Sequence, residues 1–116
     1  MMVEDFDQEE DERWRSSLLQ VIYGDDVREA TDALLALSLD EPDRIWIENE
    51  LLRLLDAPVD RQVRELAITC IGHVARLHRA ISQKVIARLH ELADDPELKL
   101  RVPNALSDIR VFVKKS

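Results

Sequence analysis

The chain has 116 residues, enough for one folded core and too few for two. Apolar residues make up 46% and charged residues 34%, which excludes a disordered chain, and no apolar run approaches the roughly 18 residues of a membrane span. The net charge is −8, and a single cysteine excludes an internal disulfide or a thiolate metal cluster. Glycine is scarce (2) while Leu, Ala, Arg and Glu abound, which is helix-forming chemistry.

The chain opens on acid. Residues 4–12 hold seven acids and no base, whereas the remainder sets 17 acids against 16 bases. An acidic start is the reverse of a signal or transit peptide, so the expected compartment is the cytoplasm. The expected organisation is an acidic leader over 1–12 followed by a single domain over 13–116. The leader reads as a solvating tail or helix start, as an attractor for a basic protein or as a weak metal binder. In the second case Glu9, Glu10, Asp11 and Glu12 steer the approach.

A first helix is predicted from about Gln8 to Tyr23, with Trp14, Leu18, Val21 and Ile22 in one stripe and Gly24 as a left-handed stop. Asp25 or Asp26 then caps a second helix with Val27, Ala30, Thr31, Leu34 and Leu37 on one face. The break at Asp40-Glu41-Pro42-Asp43 leads into a third helix over Arg44–Leu55, with Ile47, Leu51, Leu54 and Leu55 inward.

The fourth helix, about Asp60 to Leu77, is the most apolar. Val63, Leu66, Ala67, Cys70, Ile71 and Val74 occupy more than half its circumference, which predicts burial on two sides at the centre of the molecule. Cys70 reads as a packing residue rather than a reactive thiol. Gly72 predicts close approach by a neighbouring helix. A fifth helix spans about Ser82 to Ala93, and a sixth is expected to begin near Pro103 as its first residue. Lys114-Lys115 suits that helix's C-terminus.

Val27-Arg28, Val63-Arg64 and Leu100-Arg101 repeat at steps of 36 and 37 residues, and Leu52 and Leu55 recur as Leu89 and Leu92. Self-similarity at such a period marks stacked helical repeats. The expected fold is therefore all-α, with about six helices. The segments Asp95-Pro96-Glu97-Leu98-Lys99-Leu100-Arg101 and Val63-Arg64-Glu65-Leu66-Ala67 resemble the turn and first helix of HEAT repeats. That resemblance covers about residues 25–113 and implies a right-handed α-α superhelix of two to three repeats, the third degraded by Pro103. It also implies that Arg28, Arg64 and Arg101 brace adjacent units. Residues 65–78, with Asp94-Asp95-Pro96-Glu97 and residues 105–109, resemble small stand-alone bacterial HEAT-like proteins, some of which are immunity proteins beside toxins.

Enzyme chemistry is not expected. No Gly-rich phosphate loop, nucleophile elbow or Ser/His/Asp arrangement is present. Only His90-Glu91 resembles the His-Glu pairs of iron-binding HEAT-like enzymes, and one pair cannot complete a metal's ligand set. No metal and no cofactor are therefore expected. The acid-free interval between Glu65 and Glu91 carries Arg76, Arg79, Lys84 and Arg88. It reads as a solvated corner or a protein-binding patch, and four bases in an acidic chain are a thin footprint for nucleic acid.

Trp46 lies on a stripe with Asn49, Glu50 and Arg53, matched one repeat later by Gln83, Ala87 and His90. The stripe falls on the second helix of each pair, which in HEAT-like stacks lines the partner-binding concave face. Trp46 is then an interface anchor, or it packs beneath the preceding helix. The expected partner-binding residues are Trp46, Asn49, Glu50, Arg53, Gln83 and His90. The expected role is protein binding by a chain that is monomeric when free. In its sharpest form this is an immunity protein occluding a basic toxin domain; the alternative is an adaptor or scaffold with no toxin partner.

Overall fold

The computed structural model describes residues 2–113, with side chains described over 9–113. Lys114-Lys115 and the side chains of the leader acids before Glu9 lie outside the described residues. The described residues form six α-helices and no strand: α1 (Met2–Ile22), α2 (Val27–Asp40), α3 (Arg44–Leu55), α4 (Arg61–His78), α5 (Gln83–Leu92) and α6 (Val102–Phe112). No helix among them is long and apolar enough to cross a membrane.

Aspartates start the middle helices. The side chains of Asp26, Asp43 and Asp60 accept the backbone N–H groups of Glu29, Trp46 and Gln62, satisfying donors that helix starts leave unpaired. The helix ends are less regular. Gly24 is not left-handed, contrary to expectation. Its N–H bonds the Val21 carbonyl at 3.0 Å, and an added Cβ would lie 3.2 Å from that oxygen, a tight contact with the end of α1. The left-handed residue is Arg79 (φ 57°), which ends α4 and lays its guanidinium 5.5 Å from the centre of the Phe112 ring.

α4 is the centre. It packs against α2, α3 and α6, while α1 covers α2 and α5 touches α3 and α6. Val63, Ala67, Ile68, Cys70, Ile71, Val74 and Ala75 are all buried along it. The molecule is a slab of 48 × 40 × 18 Å, about two helix layers thick. On α1 the inward stripe is Trp14, Leu18, Leu19 and Ile22; Val21 turns outward.

The third copy of the repeated pair departs from the other two. Val63 is buried and Val27 half-buried, but Leu100 is 81% exposed, because residues 99–101 form a 3-10 turn that rotates it out. Val102, 1% exposed, takes the inward place, and Pro103 follows in the first turn of α6.

Gly72 marks the α4–α6 approach. A Cβ there would collide with the Asp108 carboxylate, whose Cγ lies 3.3 Å away. In an Asp108→Ala background, Gly72→Ala is expected to stabilise the fold by about 1 kcal/mol through helix propensity. With Asp108 present the gain should shrink or reverse, a difference that urea unfolding of the four chains measures.

Candidate functional site

α3 carries charge on its inward side. Glu48 is fully buried and Glu50 nearly so, and Glu41, just before the helix, is buried too. Burying a carboxylate is costly unless it is paired and hydrogen-bonded, so the partners of each decide its role.

Glu41 is the best satisfied. Its two oxygens accept Arg15 Nε at 2.7 Å and Nη2 at 2.6 Å, and the Asp43 N–H adds a third bond at 2.8 Å. The Arg15 guanidinium also lies over the Trp46 ring, 4.4 Å from its centroid. The Glu41 hydrogen bond, with charge from Glu41, Asp43 and Asp11, raises the Arg15 pKa against the opposing effect of desolvation. Arg15 thus ties α1 to the α2–α3 turn and to α3.

Glu48 ties α3 to α5. Its Oε2 accepts Arg44 Nη1 at 2.5 Å and the Ser82 backbone N–H at 3.1 Å. Ser82 precedes α5 and makes no side-chain cap of its own, so a carboxylate from another helix serves that helix start. Glu50 accepts Arg53 Nη1 at 3.1 Å. One oxygen of Glu48 and one of Glu50 are buried with no hydrogen-bond partner among the described residues. The Tyr23 pKa is raised, first by burial and then by the Glu50 charge.

The expected stripe divides between two settings. Asn49 accepts a hydrogen bond from Lys84 Nζ, and Arg88 pairs with Asp56 at 2.7 Å and Glu91 at 3.0 Å, so α3 and α5 are cross-linked along one face. Arg53, Gln83, Ala87 and His90 are exposed there. Glu50 is buried beneath them. Trp46 is half-buried and clamped by Arg15, so it belongs to the α1–α3 junction. Nothing in the sequence periodicity signalled the Arg15–Glu41 pair, whose partners lie 26 residues apart in a helix and a turn. Glu48 carried a faint signal, four residues after Arg44 and in line with the inward Leu51 and Leu55.

Of the three repeat arginines, Arg64 pairs with Glu97 in the turn after α5 at 3.0 Å, and Arg101 approaches Glu65 at 4.0 Å. Arg28 is exposed and makes no side-chain ion pair among the described residues. Glu9, Glu10, Asp11 and Glu12 are all exposed on α1.

The basic interval is dispersed. Arg76 contacts His73 Nδ1, Arg79 covers Phe112, Lys84 bonds Asn49, and Arg88 bonds two acids. Burial first, then Arg76, lowers the His73 pKa, with Asp108 opposing. No group of three or more His, Cys, Asp or Glu side chains suited to a metal occurs among the described residues. No family model, curated protein or solved structure matches this chain.

Two measurements test this description. Glu41→Ala is expected to cost about 3 kcal/mol in urea unfolding, because it strands a part-buried guanidinium and a backbone N–H. Asp56→Ala, which removes an exposed ion-pair partner, should cost under about 1 kcal/mol. Burial pushes the Cys70 thiol up to about 11, with the Ser38 hydroxyl opposing. A thiol reagent at neutral pH is therefore expected to label Cys70 only in denaturant; rapid labelling of the folded chain would contradict its burial.

Proposed function

We propose that the chain is a protein-binding module of HEAT-like type, two to three repeats in a right-handed superhelix, that docks its partner on the α3–α5 face. The observation that carries this reading is the cross-linking of that face. Asn49–Lys84, Asp56–Arg88 and the Glu48 bond to Ser82 fix two helices relative to each other, while Arg53, Gln83 and His90 stand exposed between the links. A surface ordered before binding loses little further entropy when a partner arrives. The Arg64–Glu97 pair supports the bracing role that the HEAT resemblance implies.

Within this reading the chain is a cytoplasmic immunity protein that occludes a basic toxin domain, and binding rather than catalysis is its activity. The exposed acids Glu9, Glu10, Asp11 and Glu12 support a basic partner, since opposite net charge accelerates encounter.

The test is co-expression with the variable C-terminal domain of a secreted protein encoded by the neighbouring gene. A stable one-to-one complex and rescue of growth are expected. Arg53→Glu combined with His90→Glu should weaken that complex by about a hundredfold with helical circular dichroism unchanged. A missing complex, or one indifferent to the double substitution, counts against the proposal.

A further inference from the structure

α1 is the least embedded helix. Among its described side chains Ile22 alone is buried, while Trp14, Leu18 and Leu19 are half-buried and Val21 faces outward. It packs chiefly along α2. The turn that joins the two helices, Tyr23-Gly24-Asp25-Asp26, is exposed at all four residues. A cleft of about 240 Å³ opens between this turn and the α3–α4 turn, with Ile22, Gly24, Val27, Pro58, Val59 and Val63 in its lining, so the root of α1 lacks packing on one side. Sparse apolar burial and an exposed glycine turn mark an element that opens before the rest of a fold.

The polar tie that closes α1 is Arg15. The guanidinium that bonds Glu41 through two nitrogens also covers the ring of Trp46. Trp46 is the one Trp, Tyr or Phe of α3 and α5, and it shares the α3 stripe with Asn49 and Arg53. An indole in that position is the side chain best suited to anchor a partner, and α1 holds it back. A buried ion pair makes a reversible latch. Its net contribution is small, because both charges left water to form it, and opening α1 returns the guanidinium and the carboxylate to water.

We infer that α1 is an autoinhibitory strap, hinged at Gly24 and latched by Arg15 on Glu41, that withholds Trp46 from the α3–α5 face until a partner takes the indole. The inference rests on the reading of the chain as a protein-binding module and adds a regulation of the same face. Opening and binding are then linked. A partner that needs the open form binds more tightly by the factor by which the open population rises, as long as that population stays small.

Amide hydrogen exchange of the full chain, read residue by residue by nuclear magnetic resonance where it reports the open population, tests the opening with no partner present. Val85→Ala removes buried methyl groups from α5 and so destabilises the closed and strap-open forms alike. It should speed exchange in α4 by about thirtyfold and leave residues 15–22 unchanged. Arg15→Gln breaks the latch and should speed residues 15–22 by about thirtyfold; Glu41→Gln, which weakens it from the other side, should act in the same direction. Arg15→Gln should also tighten binding of the neighbour-encoded domain by the same factor as it speeds that exchange. A merely structural Arg15 would leave the affinity unchanged or lower it.

Exchange of residues 15–22 that follows α4 in Val85→Ala overturns the strap, since α1 then opens only with the whole fold. So does a complex whose affinity is indifferent to Arg15→Gln, and in that case the α3–α5 interface still stands. Separate opening of α1 with no complex from any neighbour-encoded domain leaves the strap standing and overturns the toxin assignment.

Discussion

The fold turns on the need to cover α4. With Val63, Ala67, Ile68, Cys70, Ile71, Val74 and Ala75 all buried, its apolar surface is too wide for one neighbour to close. α2, α3 and α6 all pack against it, so three helices are placed by the composition of one. Gly72 sets how near α6 can come, because its missing side chain leaves room for Asp108. Arg79 then ends α4 and reaches Phe112 near the far end of α6, fixing the same helix at a second point.

The second layer is ordered differently. α3 and α5 touch α4 and α6 through apolar residues, but their position relative to each other and to α1 is set by buried carboxylates. Glu48 accepts the backbone N–H of Ser82 at the start of α5, and Glu41 gathers Arg15 and the entry to α3. Buried ion pairs of this kind add little net stability compared with well-packed apolar residues, since each charge must first leave water. Their geometry is directional, however, so these bonds constrain how α1, α3 and α5 sit relative to one another. Polar contacts here choose among packings that hydrophobic burial alone would accept.

That division explains what the sequence made legible. The bounds of α3, the aspartate start of α2 and the central place of α4 followed from local chemistry or helical periodicity. Leu100 was misleading because a two-residue repeat match carries no information about a 3-10 turn that rotates it outward and puts Val102 inside. Gly24 was expected to be left-handed because glycine permits it, whereas the structure keeps its φ out of that region and sets it close to the Val21 carbonyl. For the candidate site, the stripe through Asn49, Arg53, Gln83 and His90 was readable as a face. The setting of Trp46 was not, since it depends on Arg15, which lies 31 residues away on another helix.

The two surfaces so distinguished differ in how their charge is compensated. Along α3 and α5 the charges are matched within the molecule: Asp56 with Arg88, Arg88 with Glu91, Glu50 with Arg53. A face of matched charge gives shape and hydrogen-bonding specificity more than long-range attraction. At the junction of α1 with the α2–α3 turn the balance is reversed. Asp40 sits at the negative end of α2, and the Arg15 guanidinium, bonded to Glu41, also feels the charges of Asp43 and Asp11. In the proposed reading the exposed acids of α1 speed encounter with a basic partner and the ordered polar face decides identity, so the two tasks fall to different residues.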